Sequence, residues 1–249
     1  VIACLDPNPL VAGQGAKKLQ DAGIEVIIGI HVNEAYFMNR RFFSFMEKKR
    51  PYIHLKWAMT ADGVIDKLRA SGETGSFRIS GNASRWLSHR WRTEETAILV
   101  GCRTVLVDNP ELTARYWPGK SPICVLIDPS LKVHEDAKLF HQERQTLVYN
   151  RLIEKTTTNA QFIKIVGEDL LSEVLKDLYE RKILSVLVEG GAHTLQSFID
   201  QNCWDEISVF QSSQNLGNGL NAPIFNSVNS EIEMVGKDKL ISYFKRMSL

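Results

Sequence analysis

From Pro51 onward, short apolar runs alternate with segments of helical periodicity. Strands are predicted where runs of apolar and β-branched residues are bounded by turn residues, at 52–59, 97–100, 123–127, 146–149, 162–166, 183–188 and 206–210, and more weakly at 231–235 and 241–244. Helices are predicted at 82–92, 168–181 and 192–201, with Ser80 or Asn82 as the cap of the first. Since such alternation produces parallel sheets, we expect an α/β fold with a mainly parallel central sheet and late antiparallel strands.

The chain before Pro51 lacks this repeated alternation of strands and helices. Residues 9–22 carry apolar side chains at helical spacing and end at Gly23, which predicts a helix with a glycine stop. Residues 24–28 then predict a strand. One helix and one strand cannot bury the apolar faces of both elements, so we expect this unit to be part of a larger domain. Because a charged run and Pro51 end the segment, we divide the chain into residues 1–49 and 50–249.

Charge and cysteine content argue against several classes of protein. The 30 Lys and Arg residues nearly balance 29 Asp and Glu, and a net charge of +1 supplies no broad field for nucleic acid or an anionic membrane. The four cysteines form no Cys-x-x-Cys pair, as expected of reduced thiols in a cytosolic protein. No run reaches the ~20 apolar residues of a membrane helix, and Val1 opens without a signal-peptide pattern. We expect a cytoplasmic protein that binds neither nucleic acid nor membrane.

The most informative local sequence is Val188-Glu189-Gly190-Gly191-Ala192, where an apolar strand runs into two glycines and a helix. Backbone N–H groups at such a helix start can bind a phosphate, as in dinucleotide sites. The pair is not the G-x-G-x-x-G fingerprint, and a tight turn explains it as well. Glu189 would face the crevice where open α/β sheets bind ligands, unless it is a surface or ion-paired residue.

Lys56 lies within a predicted strand that should be largely buried. A lysine there usually needs a carboxylate or a ligand as its partner. Alternation could instead place His54 and Lys56 together on a solvated face, and both interpretations stay open at this point.

A third cluster follows the strand at 97–100. Gly101, Thr104, Asp108 and Arg115 offer a glycine, a hydroxyl, a carboxylate and a guanidinium, which suit contacts to ribose and phosphate. An arginine such as Arg115, or Arg92 upstream, is more often solvated than bound to a ligand, and this alternative stays open.

Several catalytic motifs are absent from the sequence. It contains no Walker A box, no G-x-S-x-G elbow and no H-E-x-x-H helix. The zinc-deaminase pairing of H-x-E with P-C-x-x-C does not occur either, and His31-Val32-Asn33-Glu34 lacks cysteine partners. We therefore expect no metal site.

Taken together, these segments resemble the bifunctional riboflavin-pathway family in which diaminohydroxyphosphoribosylaminopyrimidine deaminase is fused to 5-amino-6-(5-phosphoribosylamino)uracil reductase. The resemblance covers about residues 51–205 and rests on Leu55-Lys56, Asp62-Gly63, Gly72-Glu73, Arg92, Ile98-Leu99-Val100-Gly101, Thr104-Val105, Asp108-Asn109-Pro110, Leu112-Thr113, Arg115 and Val188-Glu189-Gly190-Gly191. Upstream, Asp6-Pro7-Asn8-Pro9 and Ala22-Gly23-Ile24-Glu25-Val26 resemble the tail of the deaminase half, whose zinc box would precede Val1.

The resemblance implies a dihydrofolate-reductase-like three-layer α/β fold and an NADPH-dependent reduction at C1′ of the phosphoribosylamino-pyrimidine substrate. It implies that residues 1–49 are the C-terminal remnant of a cytidine-deaminase-like domain and a linker, and that zinc belongs only to the missing deaminase part. We also expect a homo-oligomer. By matching positions, the catalytic residues are Lys56 and Glu189; the substrate ligands are Ser76, Arg92, Leu112 and Arg115; and the cofactor ligands are Ala58, Arg78, Thr104, Asp108, Gly191, Ala192, His193 and Thr194.

Two departures from the family are visible. The family commonly has Ser-x-Trp-Ile-Thr where this chain has Ser76-Phe77-Arg78-Ile79-Ser80, and Pro129 stands where a serine often meets the cofactor. The rival hypotheses are a reductase of another pterin or pyrimidine, and a non-catalytic nucleotide-binding module. A requirement for a 5-phosphate separates the first rival, and the presence of both Lys56 and Glu189 argues against the second.

Overall fold

The computed structural model describes residues 1–226 and 230–245. The chain forms two compact units: one combines Val1–Tyr52 with Leu175–Leu184, and the other combines Ile53–Val174 with the chain from Ser185 onward. Every residue proposed above for the site lies in the second unit. Within the described ranges, no helix has the length and apolar character needed to cross a membrane.

The first unit is helical; one prediction for it was right except for the start of the helix, and another was wrong. The helix predicted at 9–22 begins only at Gln14 (α1, Gln14–Asp21), because Gly13 has a φ of 71° that a right-handed helix cannot contain. The strand predicted at 24–28 does not form: its apolar residues make only one isolated bridge, Ile2 to Ile28. A strand forms only when a neighbouring strand hydrogen-bonds to it along its length, and here only Ile28 is bridged, to Ile2.

Two further helices, α2 (Val32–Met38) and α3 (Arg40–Lys48), occupy the segment that the sequence left without a structure. Tyr36 stacks on Phe43 with ring centroids 3.9 Å apart, and Phe43 and Phe45 are buried. Phe43 and Phe45 therefore form the buried apolar face of α3.

The central sheet has ten strands, in the order β11-β12-β9-β1-β8-β3-β4-β5-β7-β6. Their bounds are β1 Tyr52–Met59, β3 Ala97–Gly101, β4 Ile123–Ile127, β5 Thr146–Asn150, β6 Lys155–Thr156, β7 Ala160–Lys164, β8 Ser185–Val188, β9 Glu206–Gln211, β11 Glu231–Val235 and β12 Asp238–Phe244. The strand predicted at 162–166 lies two residues earlier because Ala160 pairs with Thr146 of β5. The strand predicted at 183–188 starts at Ser185, and β12 starts before the predicted 241.

Most neighbours in this sheet run parallel. β9 pairs with β1, β3 with β8 and β4, and β5 with β4 and β7, all in parallel. The antiparallel pairs are β12 with β9, β11 with β12, and β6 with β7. All five residues of β3 are buried, as expected of a central parallel strand. The predicted α/β class, with a mainly parallel sheet and late antiparallel strands, is confirmed.

Beside the sheet, the described residues form four more α-helices, one 3₁₀ helix and a short two-stranded ribbon. They are α4 (Asn82–Glu94), α5 (Cys102–Asp108), α6 (Leu170–Glu180), α7 (Ala192–Asp200), the 3₁₀ helix η1 (Lys138–Phe140), and the antiparallel pair β2 (Val64–Lys67) and β10 (Gly219–Asn221). The sequence did not predict α5, η1 or the ribbon. The predicted cap of α4 was also wrong: Gly81 is the cap, and its N–H donates to Asp238 Oδ2 at 2.7 Å.

The apolar core of this unit gathers around the middle of the sheet. Ile98, Leu126, Val148 and Leu187, from four strands, are at most 1% exposed and lie in one cluster. The cluster fixes the ends of β3 and β8 relative to each other, and the site is built at those ends.

Candidate active site

Glu189 directly follows β8. The strand is buried along its whole length, and the Glu189 N–H donates to the Leu99 carbonyl oxygen of β3 at 3.0 Å. The Glu189 side chain is only 10% exposed. A carboxylate this deep needs positive partners or hydrogen-bond donors.

Two cations supply that charge. Arg92, on α4, donates to both carboxylate oxygens of Glu189, from Nε to Oε1 at 2.8 Å and from Nη2 to Oε2 at 2.7 Å. This is the bidentate geometry that arginine and carboxylate favour. Lys56 Nζ, on β1, lies 3.4 Å from Glu189 Oε2, and its side chain is 15% exposed. Of the two interpretations of Lys56, the buried lysine with a carboxylate partner is confirmed.

Burial and charge act against each other in this cluster. Burial alone would raise the pKa of Glu189, but Arg92 and Lys56 together outweigh it and hold that pKa below its usual range. Burial lowers the pKa of Lys56; Glu189 opposes this, and the charge of Arg92 adds to it. Glu189 is therefore an anion at neutral pH, held between Arg92 and Lys56.

The glycines after Glu189 let the ends of β3 and β8 approach closely. A Cβ on Gly190 would lie 2.9 Å from Thr194 Cβ and 3.3 Å from the Gly101 nitrogen, and a Cβ on Gly101 would overlap the Thr194 hydroxyl. The Gly191 N–H donates to Thr104 Oγ1 at 2.8 Å, which ties α5 to the start of α7. Gly190 and Gly101 are therefore required by close packing, whereas a Cβ on Gly191 would make only an ordinary contact, 3.4 Å from Thr104 Oγ1.

The start of α7 leaves backbone donors available. Its first intrahelical bond runs from the Leu195 N–H to the Gly191 carbonyl oxygen at 3.1 Å, and no side chain caps the helix. The N–H groups of Ala192, His193 and Thr194 thus have no acceptor within the helix. Such a terminus suits the pyrophosphate of a dinucleotide cofactor. The Gly191 N–H is not part of this donor set, because Thr104 accepts it.

The remaining predicted cofactor residues are spread around this junction. Ala58 lies on β1 two positions after Lys56, on the same face by strand alternation. Asp108 ends α5, and burial, followed by the charge of Asp66, raises its pKa. Arg78 is exposed and bonds to the Ser80 carbonyl oxygen at 3.2 Å.

The predicted substrate residues Leu112 and Arg115 lie on the loop after α5, here called the 109–115 loop. Leu112 is 3% exposed and has a φ of 58°, the left-handed conformation. Arg115 Nη1 bonds to Glu111 Oε2 at 2.9 Å on the surface. Arg92 joins this loop to the cluster, because its Nη1 donates to the Thr113 carbonyl oxygen at 2.9 Å.

The structure therefore brings together Lys56, Arg92, Glu189 and the 109–115 loop in one set of contacts, and Thr104 with the residues at the start of α7 in another. Ser76 is exposed, and among the described residues no hydrogen bond or ion pair joins it or Arg78 to either set. Three donors of Arg92 are already used by Glu189 and Thr113, so its role toward a substrate phosphate stays a prediction, as do the other residue roles.

Sequence reasoning missed two residues at this site. Arg144 Nη2 donates to the carbonyl oxygens of Glu111 at 3.0 Å and of Leu112 at 2.9 Å. His89 is 3% exposed and lies edge-on to Tyr116, with ring centroids 4.7 Å apart. Neither had a sequence signal, because Arg144 stands among polar residues and His89 is one of several basic residues on α4.

Across residues 1–226 and 230–245, no group of three or more His, Cys, Asp or Glu side chains is arranged to hold a metal ion. The absence of a metal site remains a prediction.

Comparison with known proteins agrees with this geometry. Residues 51–238 match the family model of the RibD C-terminal domain. The riboflavin biosynthesis protein RibD of Aquifex aeolicus is 38% identical over 261 residues, a match covering 99% of this chain and 72% of the relative. The crystal structure of a diaminohydroxyphosphoribosylaminopyrimidine deaminase/5-amino-6-(5-phosphoribosylamino)uracil reductase from Thermotoga maritima superposes with a TM-score of 0.84 at 30% identity, covering 97% of this chain and 70% of that one.

A third comparison concerns the fold alone. The Saccharomyces cerevisiae riboflavin biosynthesis reductase Rib7 superposes with a TM-score of 0.61 at 20% identity, covering 78% of this chain and 89% of that one. The family match runs from β1 to the first residue of β12, and the Aquifex relative aligns over nearly the whole chain. This chain belongs to the RibD C-terminal domain family.

Proposed function

We propose that this chain reduces the ribosyl group of 5-amino-6-(5-phosphoribosylamino)uracil to the ribitylamino product of riboflavin biosynthesis, with NADPH as the reductant. Family membership supports the reaction, since the matched Thermotoga protein carries this reductase activity in its name. The observation that carries the proposal is the buried Lys56–Glu189–Arg92 cluster beside the start of α7.

The cluster suits a polyhydroxylated substrate. Glu189 is held as an anion and can accept hydrogen bonds from sugar hydroxyls, while Lys56, at 3.4 Å, makes a long contact that leaves its other N–H donors free to reach the same sugar. Holding C1′ in one place and orientation is the main contribution a protein can make to hydride transfer. We assign Lys56 and Glu189 as the catalytic residues on this ground.

The start of α7 suits the cofactor. The N–H groups of Ala192, His193 and Thr194 would hold the pyrophosphate, and Thr104 would fix the strand end through Gly191. When bound, the nicotinamide supplies the hydride. Ala58, Arg78, Asp108 and Gly191 are the further cofactor contacts we propose by resemblance. Preference for NADPH over NADH is part of the same proposal.

Ser76, Leu112 and Arg115 complete the substrate site in this proposal, with Arg115 and Arg92 directed toward the 5-phosphate. Arg115 is 42% exposed, so a ligand phosphate can approach its guanidinium. A cation on an exposed loop can exchange a surface carboxylate such as Glu111 for a phosphate at little cost, because exposed ion pairs contribute only ~0.2–1 kcal/mol.

We further propose that residues 1–49 are the C-terminal part of a deaminase-like domain and that the protein is a cytoplasmic homo-oligomer. Exposed apolar side chains in the first unit support the domain assignment: Leu10, Ile24, Ile27 and Ile28 are 82%, 53%, 46% and 45% exposed. A group of exposed apolar side chains like this one usually packs against another protein surface.

The test is an assay of the purified chain with the deaminated phosphoribosylamino pyrimidine and NADPH, following loss of reduced-nicotinamide absorbance. Turnover with this substrate and none with its dephosphorylated form or with dihydrofolate supports the proposal. Equal turnover with dihydrofolate would favour the rival pterin reductase, and no turnover with any of them would contradict enzymatic activity altogether.

A further inference from the structure

Three successive carbonyl groups of the 109–115 loop are each held by an arginine. Arg144 Nη2 binds the carbonyl oxygens of Glu111 and Leu112 at 3.0 and 2.9 Å, and Arg92 Nη1 binds that of Thr113 at 2.9 Å. Arg144 Nη1 also donates to the Pro122 carbonyl oxygen, where the chain enters β4. The loop is therefore anchored through its backbone by two side chains from outside it.

These carbonyl contacts fix the direction of the N–H groups. In a trans planar peptide the C=O of one residue and the N–H of the next point in opposite directions. The N–H groups of Leu112 and Thr113 thus point away from Arg144, and across the described ranges neither donates a hydrogen bond. The next N–H, that of Ala114, is already used by Ser121 Oγ at 3.1 Å.

Two adjacent free N–H groups beside a left-handed residue form the kind of concave site that binds anions. Leu112 has this conformation, with a φ of 58°, although it is not a glycine. A non-glycine residue is held there only when its surroundings impose it. The two bonds from Arg144 and the burial of the Leu112 side chain supply that constraint.

Arg144 also adds uncompensated charge. No carboxylate pairs with it among the described residues, and burial lowers its pKa. The charge of Arg92 adds to this lowering of the Arg144 pKa. A partly buried cation whose hydrogen bonds all go to carbonyl oxygens raises the positive potential around an anion.

We propose that Arg144 is a positioning residue that aims the Leu112 and Thr113 N–H groups at the 5-phosphate of the substrate. It acts through the loop backbone and does not itself touch the substrate. This inference rests on the proposed function, because the phosphate belongs to the substrate proposed above.

The test compares Arg144→Met with Arg151→Met. Arg151 is a matched control, since it also donates to three backbone carbonyl oxygens, those of Ile165 at 3.2 Å, Glu168 at 2.8 Å and Gly167, in a different loop. We expect KM for the phosphorylated substrate to rise about tenfold in Arg144→Met, equivalent to losing roughly one good hydrogen bond. We expect kcat to stay within about twofold, and the KM of Arg151→Met to stay near that of the wild type.

The variant Arg144→Lys and inhibition by ribose 5-phosphate separate the positioning role of Arg144 from any effect of its replacement on folding. Arg144→Lys can hold only part of the loop, so its KM should fall between those of the wild type and Arg144→Met. Inhibition of the wild type by ribose 5-phosphate should weaken about tenfold in Arg144→Met and partly recover in Arg144→Lys. If Arg144→Met does not fold, the comparison of Arg144→Lys with Arg151→Lys decides the question.

Unchanged KM and ribose 5-phosphate inhibition in both Arg144 variants would overturn the inference, as would an equal KM increase in the Arg151 variants. A wild-type chain that turns over the substrate while the Arg144 variants behave normally contradicts only the positioning role. A wild-type chain without turnover contradicts the proposed function and the inference together.

Discussion

Replacing Glu189 with glutamine tests the catalytic assignment most severely. The carboxylate makes two short bonds to Arg92, at 2.8 and 2.7 Å, and one longer contact to Lys56, at 3.4 Å. Glutamine keeps the shape but removes the charge, and it replaces one acceptor by a donor that faces a cation. At an effective dielectric of 20, each lost charge pair corresponds to roughly 4 kcal/mol before desolvation is counted.

The loss of this charge should lower both the stability and the rate of the Glu189→Gln variant. Removing one partner of a buried ion pair destabilises a protein by about 3 to 5 kcal/mol, so Tm should fall by roughly 10 °C while the fold survives. A displacement of the reacting carbon by ~1 Å can cost about 10²-fold in rate, which corresponds to ~2.7 kcal/mol of transition-state free energy. We expect kcat of Glu189→Gln to fall by about this factor while NADPH remains bound.

The change should also alter the pH dependence. Burial and Arg92 lower the pKa of Lys56, and Glu189 is the group that opposes them. Without this anion the pKa of Lys56 falls further, so the ammonium loses its proton at lower pH than in the wild type, and kcat of the variant should decline as pH rises through this lowered pKa.

The assay measures kcat and KM by nicotinamide absorbance, NADPH affinity by fluorescence, and Tm by circular dichroism. Glu94→Gln is the control, since Glu94 forms an exposed pair with Arg90 on the same helix as Arg92, at 2.7 Å, and should change each quantity little. A Glu189→Gln variant with near wild-type kcat would show that Glu189 is a structural carboxylate and that the catalytic assignment is wrong.

Three further changes test separate parts of the account. Arg115→Ala should raise KM for the phosphorylated substrate about tenfold, through loss of a charge-assisted bond worth about 1.5 to 3 kcal/mol, with NADPH affinity unchanged in a binding titration. Gly101→Ala should lower both Tm and NADPH affinity, measured by thermal melting and fluorescence, because the added Cβ overlaps the Thr194 hydroxyl. Burial, helped by Arg92, lowers the pKa of His89 to about 4, so folding loses stability as pH falls from about 6.5 toward 4. His89→Asn should flatten that part of the stability profile, measured by denaturant unfolding.

Each of these has an outcome that contradicts it. Equal losses of substrate and NADPH affinity would mean that Arg115 is misplaced. Gly101→Ala should recover when combined with Thr194→Ala, and failure to recover would show that the overlap is not the cause. An acid profile of His89→Asn identical to that of the wild type would show that His89 is not the source of the pH dependence.

The sequence predicted the sheet well where strands are central. β3 and β4 are continuous apolar runs because all five residues of β3 and the middle three of β4 are buried, and a strand buried on both faces is apolar at successive positions. It failed at 24–28, where the same apolar composition finds a single bridging residue, Ile2. A strand forms only when a second strand pairs with it, and the sequence of the segment itself does not show whether such a strand is present.

The candidate site was predictable in part for the same reason. Glu189 stood out because a carboxylate at the end of an apolar strand faces the crevice where open α/β sheets bind ligands, although an ion-paired carboxylate fits the same position. The contact between Arg92 and Glu189 could not be predicted, because it joins residues 97 positions apart through the packing of α4. Arg144 carried no signal at all, since its contacts are with backbone carbonyl oxygens, which every sequence contains.

The most direct test of the central claim is to follow the hydride itself. The chain is incubated with the phosphoribosylamino pyrimidine and with NADPH deuterated at either face of the nicotinamide C4, and the product is analysed by mass spectrometry and NMR. We predict that one labelled form gives a ribitylamino product one mass unit heavier, with deuterium at C1′. NADPH consumption without label at C1′, or an unchanged substrate, would contradict the assignment of this chain as the reductase.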